Sequence, residues 1–285
     1  MDGTTRPTRS VLYIPGSKER ALEKAKTLAV DAIIFDLEDA VAIDEKVGAR
    51  DTLKAALDAG GFGNRMKIVR INGLDTEWGE DDARAVADMA CDAVLLPKVD
   101  GPAQLDALAA LVGDKPLWAM METCAGMLNA NAIAAHPKLE GFVMGTNDLA
   151  KELNTRFRAD RLPMLTSLQL CLLAAKANGV TIVDGVYNAF KDDEGLKAEC
   201  EQGRDMGFDG KTLIHPAQVA VCNDAFAPSE AEIDLAKRQI EAFEAAEAAG
   251  QGVAVVDGKI VENLHIVTAK KILAQAEAIA ALAAE

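Results

Sequence analysis

The chain has 285 residues, with 30 Lys and Arg against 45 Asp and Glu, a formal charge of −15. That balance excludes the basic stripe of a nucleic-acid surface and opposes binding to an anionic membrane. Any anionic ligand must be held by local Arg and Lys contacts set against an unfavourable overall field. The five cysteines (Cys91, Cys124, Cys171, Cys200 and Cys222) are scattered, with no CxxC spacing, so neither a zinc site nor a disulfide framework is indicated. Reduced thiols fit a cytoplasmic protein. Met1 to Ser10 is polar and lacks the apolar stretch of a signal peptide, and no run of about 18 apolar residues could span a membrane.

Eight short runs rich in Val, Ile and Leu read as strands. They are Val11 to Ile14, Ala32 to Leu37, Lys67 to Ile71, Ala93 to Leu96, Leu117 to Met121, Phe142 to Met144, Thr181 to Val183 and Thr212 to Ile214. They are continuously apolar, as parallel strands covered on both faces should be. Between them lie helical patterns: Lys18 to Leu28, Asp44 to Ala59 with Asp44 as a capping residue, Trp78 to Met89, Ala103 to Leu111, Thr166 to Ala177 and Gly195 to Met206. Eight βα units point to a (β/α)8 barrel, which takes roughly 250 residues. The competing doubly wound sheet would carry a Gly-rich phosphate loop after its first strand, but that turn is Pro15-Gly16-Ser17-Lys18.

The chain then continues into an extension. Ser229 to Ala249 reads as a helix opened by a capping box of Ser229 and Glu232. A hairpin on Asp257-Gly258 and a last helix from Leu264 to Leu282 follow. Residues 1–228 are thus expected to form the catalytic barrel. Residues 229–285 are expected to cover a barrel mouth, that of a neighbouring subunit.

Barrel enzymes place their chemistry at the C-terminal ends of the strands. Here those ends carry Tyr13 to Lys18, Asp36 to Asp39, Arg70 to Gly73, Pro97-Lys98, Glu122-Thr123, Gly145 to Asp148, Asp184-Gly185 and His215-Pro216. Glu122 and Asp148 end adjacent strands, and two converging carboxylates suit a hard cation such as Mg²⁺. The alternative is that each pairs with a nearby Arg or Lys. Arg70, just past the buried part of its strand, must meet a carboxylate or phosphate. It either binds substrate, pairs with Asp36, Glu38 or Asp39, or does both. At least one of those acids should be structural.

Lys18 and Lys24 lie on the first helix and either reach a phosphate or form a solvated face. The helix N-terminus at Gly16 and Ser17 is a further anion site. His215 reads more simply as a hydrogen-bond donor at the rim than as a catalyst. Met120, Met121, Met127 and Met144 either line the site or pack the core. No cysteine has a basic neighbour and no GxSxG elbow occurs, so neither a thiol nor a serine nucleophile is supported.

Taken in order, RSVLYIPGSKERALEKA, FDLEDAV, VRINGLDT, LLPKV, METCAGM, GTNDLA, DGVY and KTLIHPAQV resemble the citrate lyase β-subunit-like group of the HpcH/HpaI aldolase superfamily. The resemblance runs from about Arg9 to the last helix. Within that group the chain is most similar to malyl-CoA lyases and malyl-CoA thioesterases. The resemblance implies a TIM barrel, a homotrimer or homohexamer, and Mg²⁺ (with Mn²⁺ as a substitute) acting on coenzyme A thioesters of 3-hydroxy acids. It implies that Glu122 and Asp148 bind the metal. Arg70 would hold the substrate's carboxylate or thioester carbonyl. Tyr13, Lys18 and Lys24 would contact coenzyme A, and Asn147, Ile214 and His215 would contact substrate. Asp36 and Glu38 join Arg70 in the catalytic set.

In the lyases a tail Asp reaches the neighbouring active site as acid/base. Here Gly258-Lys259-Ile260-Val261-Glu262 supplies Glu instead. One more methylene shifts the carboxylate by ~1.5 Å, and about 1 Å of misplacement can cost ~10²-fold in rate. Carbon–carbon cleavage needs that acid to protonate the acetyl-CoA enolate, whereas hydrolysis does not. The expectation is therefore a (3S)-malyl-CoA thioesterase. The alternatives are a malyl-CoA or citramalyl-CoA lyase and a citrate-lyase-type subunit acting on a carrier-bound acyl group.

Overall fold

Aliphatic and β-branched side chains fill both faces of a pleated ribbon, and the eight apolar runs become eight parallel strands. The computed structural model describes residues 6–283. Its strands are β1 (Ser10–Pro15), β2 (Ala32–Asp36), β3 (Met66–Arg70), β4 (Ala93–Leu96), β5 (Leu117–Met121), β6 (Leu139–Met144), β7 (Thr181–Asp184) and β8 (Gly210–Leu213). They pair in chain order, and β8 pairs back to β1, closing the (β/α)8 barrel expected from the sequence. The expectation of a polar N-terminus falls partly on residues 1–5, which lie outside the described residues.

Around the barrel run α1 (Glu19–Ala25), α2 (Lys46–Ala59), α3 (Gly79–Ala87), α4 (Pro102–Val112), α5 (Cys124–Leu128), α6 (Ala130–Ala134), α7 (Thr146–Glu152), α8 (Leu165–Asn178), α9 (Asp193–Met206) and α10 (Val219–Phe226). The first helix is shorter than the expected Lys18 to Leu28. Asp44 does not cap α2: it lies within a short 3₁₀ turn, and no side chain caps either segment. Four helices, α5, α6, α7 and α10, had no sequence signal, because each has eight residues or fewer and shows too little of a 3.6-residue period. Strand β8 starts two residues before its expected position, at Gly210. A side chain at Gly210 would strike the Thr8 carbonyl, so glycine permits the close approach that starts the closing pair.

Alternation along each strand sorts the core in two. Val11, Ala32, Ile34, Ile68, Leu95, Trp118, Met120 and Val143 fill the barrel interior. Leu12, Ile33, Phe35, Val69, Val94 and Phe142 face outward and pack with helix residues such as Leu22, Leu53 and Leu105. This two-residue period sets which strand-end side chains reach the mouth.

Residues 8–226 form one compact unit, while residues 6–7 belong with Ala227 onward in a second. In the second unit lie α11 (Glu230–Ala248), β9 (Ala254–Val256), β10 (Lys259–Val261) and α12 (Asn263–Ala283). Ser229 and Glu232 form the expected capping box. Asp257 and Gly258, at φ 50° and 74°, make the tight turn of the β9–β10 hairpin. Phe243, Ala254, Val261 and Ile266 form this unit's own small core. Among the described residues no helix is long and apolar enough to cross a membrane.

Candidate active site

Tyr13, Asp36, Arg70, Met120 and Glu122 occupy inward positions in the last part of their strands or just beyond it. Two residues earlier on the same strands, Val11, Ile34, Ile68, Trp118 and Met120 lie in the interior cluster. Tyr13, Asp36, Arg70, Met120 and Glu122 line a cavity of about 310 Å³ at the barrel mouth. Met144, Thr146, Asn147 and Asp148 come in from β6 and α7, and Val186 and Ile214 close the far side.

Asp36 and Arg70 are register partners on β2 and β3. Arg70 Nε and Nη2 donate to the two oxygens of Asp36 at 2.7 and 2.6 Å. Asp36 also accepts from the N–H groups of Glu38 and Ala40, both at 2.9 Å. Burial works to raise the Asp36 pKa, but Arg70 and these N–H groups outweigh it and hold the carboxyl below its ordinary value. Asp36 is therefore saturated, and it holds Arg70 in place. Arg70 Nη1 lies 2.8 Å from Glu38 Oε2 and 3.6 Å from Asp39 Oδ2. The Glu38 contact is an ion pair without hydrogen-bond alignment, and that oxygen has no donor. Burial, stronger than Arg70 and Lys98, raises the Glu38 pKa. The guanidinium stacks 5.0 Å above the Tyr13 ring, whose hydroxyl donates to Met120 Sδ at 3.3 Å. Tyr13 thus forms the cavity floor under Arg70.

Glu122 is 1 % exposed and has no side-chain cation bonded to it; Oε1 accepts the Lys98 N–H at 2.9 Å. Burial first, then the charge of Glu38, pushes its pKa up to about 7. A side chain at position 145 would meet Glu122 Oε2 and Cβ, so Gly145 is what lets this carboxylate sit against the end of β6. Asp148, in the first turn of α7, also lines the cavity, and among the described residues no cation forms an ion pair with it. Two cations, Arg70 and Lys98, stand against five carboxylates in and around this cavity: Asp36, Glu38, Asp39, Glu122 and Asp148. This formal excess of three negative charges, with two oxygen donors free of cations, fits a hard divalent cation held by Glu122 and Asp148.

The remaining expected residues are distributed unevenly. Asn147 and Ile214 line the cavity. His215 lies beside it, stacked on Phe190 at 4.5 Å, with Nδ1 accepting the Ala217 N–H. Lys18 and Lys24 are exposed and do not line the cavity, and Lys18 pairs with Glu45. Glu262 belongs to the second unit, on the turn between β10 and α12, where its N–H donates to His265 Nδ1. Met120 and Met144 line the cavity, while Met121 and Met127 are core.

One strand end departs from expectation. Asp184 follows inward Val183, so it points outward and meets Arg161 and Lys211 behind the barrel. The sequence places Lys98 at a strand end without assigning it a role, whereas in the structure its Nζ donates to Glu38 Oε1 at 2.7 Å.

A closed parallel barrel with polar groups gathered at its C-terminal mouth is the architecture of a TIM-barrel enzyme. The chain belongs to the HpcH/HpaI aldolase/citrate lyase family, whose model matches residues 9–216. A second model, C–C bond lyase of the TIM-barrel fold, matches residues 161–280. The chain is 71% identical to a (3S)-malyl-CoA thioesterase of Cereibacter sphaeroides over 278 residues, 98% of each chain. It is 34% identical to the citrate lyase subunit beta of Escherichia coli over 96% of this chain and 94% of that one. Among solved structures it resembles protein CitE of Mycobacterium tuberculosis, in complex with magnesium, acetoacetate and coenzyme A. The TM-score is 0.80 at 31% identity, over 96% of this chain and 100% of that one.

Proposed function

We propose that the chain hydrolyses coenzyme A thioesters of 3-hydroxy dicarboxylic acids, taking (3S)-malyl-CoA and water to (S)-malate and CoA with Mg²⁺ as cofactor. One observation carries this reading. The cavity holding Arg70, Glu122 and Asp148 belongs to a chain 71% identical, over nearly its whole length, to a (3S)-malyl-CoA thioesterase. Glu122 and Asp148 would hold the cation, which when bound polarises substrate oxygen.

Arg70 has five N–H donors, and Asp36 takes two of them. The free N–H groups on Nη1 and Nη2 bind a substrate oxygen or carboxylate, with Tyr13 supporting the guanidinium from below. Asp36, and Glu38 through Lys98, keep that guanidinium in one orientation, so substrate pays little for ordering it. Asn147, Ile214 and His215 contact substrate at the rim, and Tyr13, Lys18 and Lys24 lie toward coenzyme A. In hydrolysis, water bonds to the thioester carbonyl carbon, the C–S bond breaks, and the thiolate leaves with a proton.

The active form is a cytoplasmic homotrimer or homohexamer in which residues 229–285 cover a neighbouring barrel mouth and bring Glu262 to its substrate as acid/base. The second reading is carbon–carbon cleavage, favoured by the 34% identity to a citrate lyase subunit beta.

Purified protein mixed with (3S)-malyl-CoA and Mg²⁺, with thiol, malate and glyoxylate followed together, separates the two. Thiol and malate without glyoxylate are expected. Glyoxylate and acetyl-CoA without thiol would make the protein a lyase. In the same assay Glu262→Asp is expected to raise glyoxylate release without reducing hydrolysis.

A further inference from the structure

Lys98 follows β4 with its backbone in the left-handed region, at φ 52°. A residue with a Cβ adopts that conformation at a cost, and the surroundings must hold it there. Three groups do so. The Lys98 N–H donates to Glu122 Oε1 at 2.9 Å, its carbonyl accepts from Gln104 Nε2 at 3.2 Å, and Nζ donates to Glu38 Oε1 at 2.7 Å. Gln104 is itself fixed at the start of α4, its Oε1 accepting from the N–H groups of Asp100 and Gly101 at 2.6 and 3.2 Å. The N–H and the side chain diverge from one Cα, so a single range of φ aims both. Swinging φ to an ordinary negative value takes one of them off its target.

The two targets do different things. Glu122 Oε1 is occupied by the N–H, and Oε2 lies over Gly145, at the end of β6 where α7 and Asp148 begin. Glu38 lies between two cations, with Lys98 Nζ on Oε1 and Arg70 Nη1 against Oε2.

We propose that Lys98 is a positioning residue with two separable parts: its left-handed backbone presents Glu122 Oε2 to a divalent cation, and its ammonium holds Glu38 against Arg70. The first part rests on the reading of Glu122 as a cation ligand. The second does not.

The test uses the full chain and three variants, Lys98→Gly, Lys98→Asn and Lys98→Val. Glycine and asparagine accept the left-handed conformation without the ammonium; valine resists it. Mg²⁺ alone is titrated calorimetrically, and consumption of (3S)-malyl-CoA is measured separately, with thermal unfolding to confirm that each variant is folded.

Gly and Asn variants are expected to bind Mg²⁺ within about threefold of wild type, and the Val variant about tenfold more weakly or worse. In the Gly and Asn variants kcat is expected to fall by about 10²-fold with KM changed far less, because Arg70 is misplaced rather than removed. Asn serves in place of Gly if Gly unfolds.

Mg²⁺ binding by the Val variant equal to wild type would overturn the backbone part. Equal losses in Gly and Val would overturn it too, by assigning the effect to the ammonium. Undiminished kcat in Gly and Asn would overturn the ammonium part. A wild-type chain that takes up no Mg²⁺ would overturn the cation reading itself, leaving the ammonium part to be judged on kcat.

Discussion

Two buried ion networks in the barrel are built from the same residue types and behave differently. At the mouth, Asp36, Glu38, Arg70 and Lys98 interlock beside an open cavity that Asp39, Glu122 and Asp148 also line. Behind β7 and β8, Asp184 and Glu199 meet Arg161 and Lys211, and neither Asp184 nor Lys211 has exposed surface. Two acids there balance two bases. Burial opposes ionisation in both, yet Lys211 and Arg161 hold Asp184 below its ordinary pKa, and the acids in turn raise Lys211. At the mouth the acids outnumber the bases, and Glu38 and Glu122 are pushed up instead. Strand alternation decides between the two outcomes: Asp36 and Arg70 face inward, Asp184 and Lys211 outward. The rear network is balanced in charge, although Arg161 Nη2 has no partner, whereas the unbalanced one still needs a cation or a substrate.

Arg70→Ala should have the largest effect on turnover. It removes the substrate's charged partner and strands Asp36, and kcat/KM should fall by about 10³-fold or more. Near-normal kinetics with (3S)-malyl-CoA would mean that the mouth network is structural, like its counterpart.

Asp184→Asn should reverse the pattern. Breaking a buried pair costs about 3–5 kcal/mol of stability, seen in denaturant unfolding, while kcat in the folded fraction should stay within about twofold. A large fall in kcat without loss of stability would erase the distinction between the networks.

Glu122→Gln should abolish measurable Mg²⁺ binding yet make the metal-free protein more stable near pH 8, because an unpaired buried charge is gone. The sign follows from its raised pKa. Between the ordinary value of 4.5 and about 7, the folded state holds a proton that the unfolded state has lost. Metal-free stability should therefore fall as pH rises through that window, and Glu122→Gln should flatten the fall.

The smallest effect is on affinity. Proton and cation compete for Glu122, so Mg²⁺ binding should weaken by about tenfold for each pH unit below 7 and level off above it, as calorimetry would show.

Much of this was legible in the residues. The eight strands, the capping box at Ser229 and the hairpin on Asp257-Gly258 rest on local rules, and all are present, with β6 and β8 starting three and two residues earlier than expected. Arg70, Glu122, Asp148 and Asn147 could be found because strand ends converge on one mouth. Asp184 misled because a strand end says nothing of inward or outward until the alternation is counted from a buried neighbour. The part of Lys98 is not legible in the sequence, because it depends on a positive φ, which carries no sequence mark in a residue that is neither glycine nor asparagine. Short helices such as α5 and α6 left too little periodic signal to read.

The pairing of β1 with β8 joins residues near position 11 to residues near position 212. Translation at about 5–20 residues per second separates their synthesis by tens of seconds. During that interval β1 and the last strand made each present an open edge, with rows of unpaired N–H and C=O groups. The nascent chain is therefore most exposed to self-association just before Gly210 to Leu213 emerges. A truncation ending between β7 and β8 should aggregate, whereas one ending after Phe226 should have every strand it needs to close.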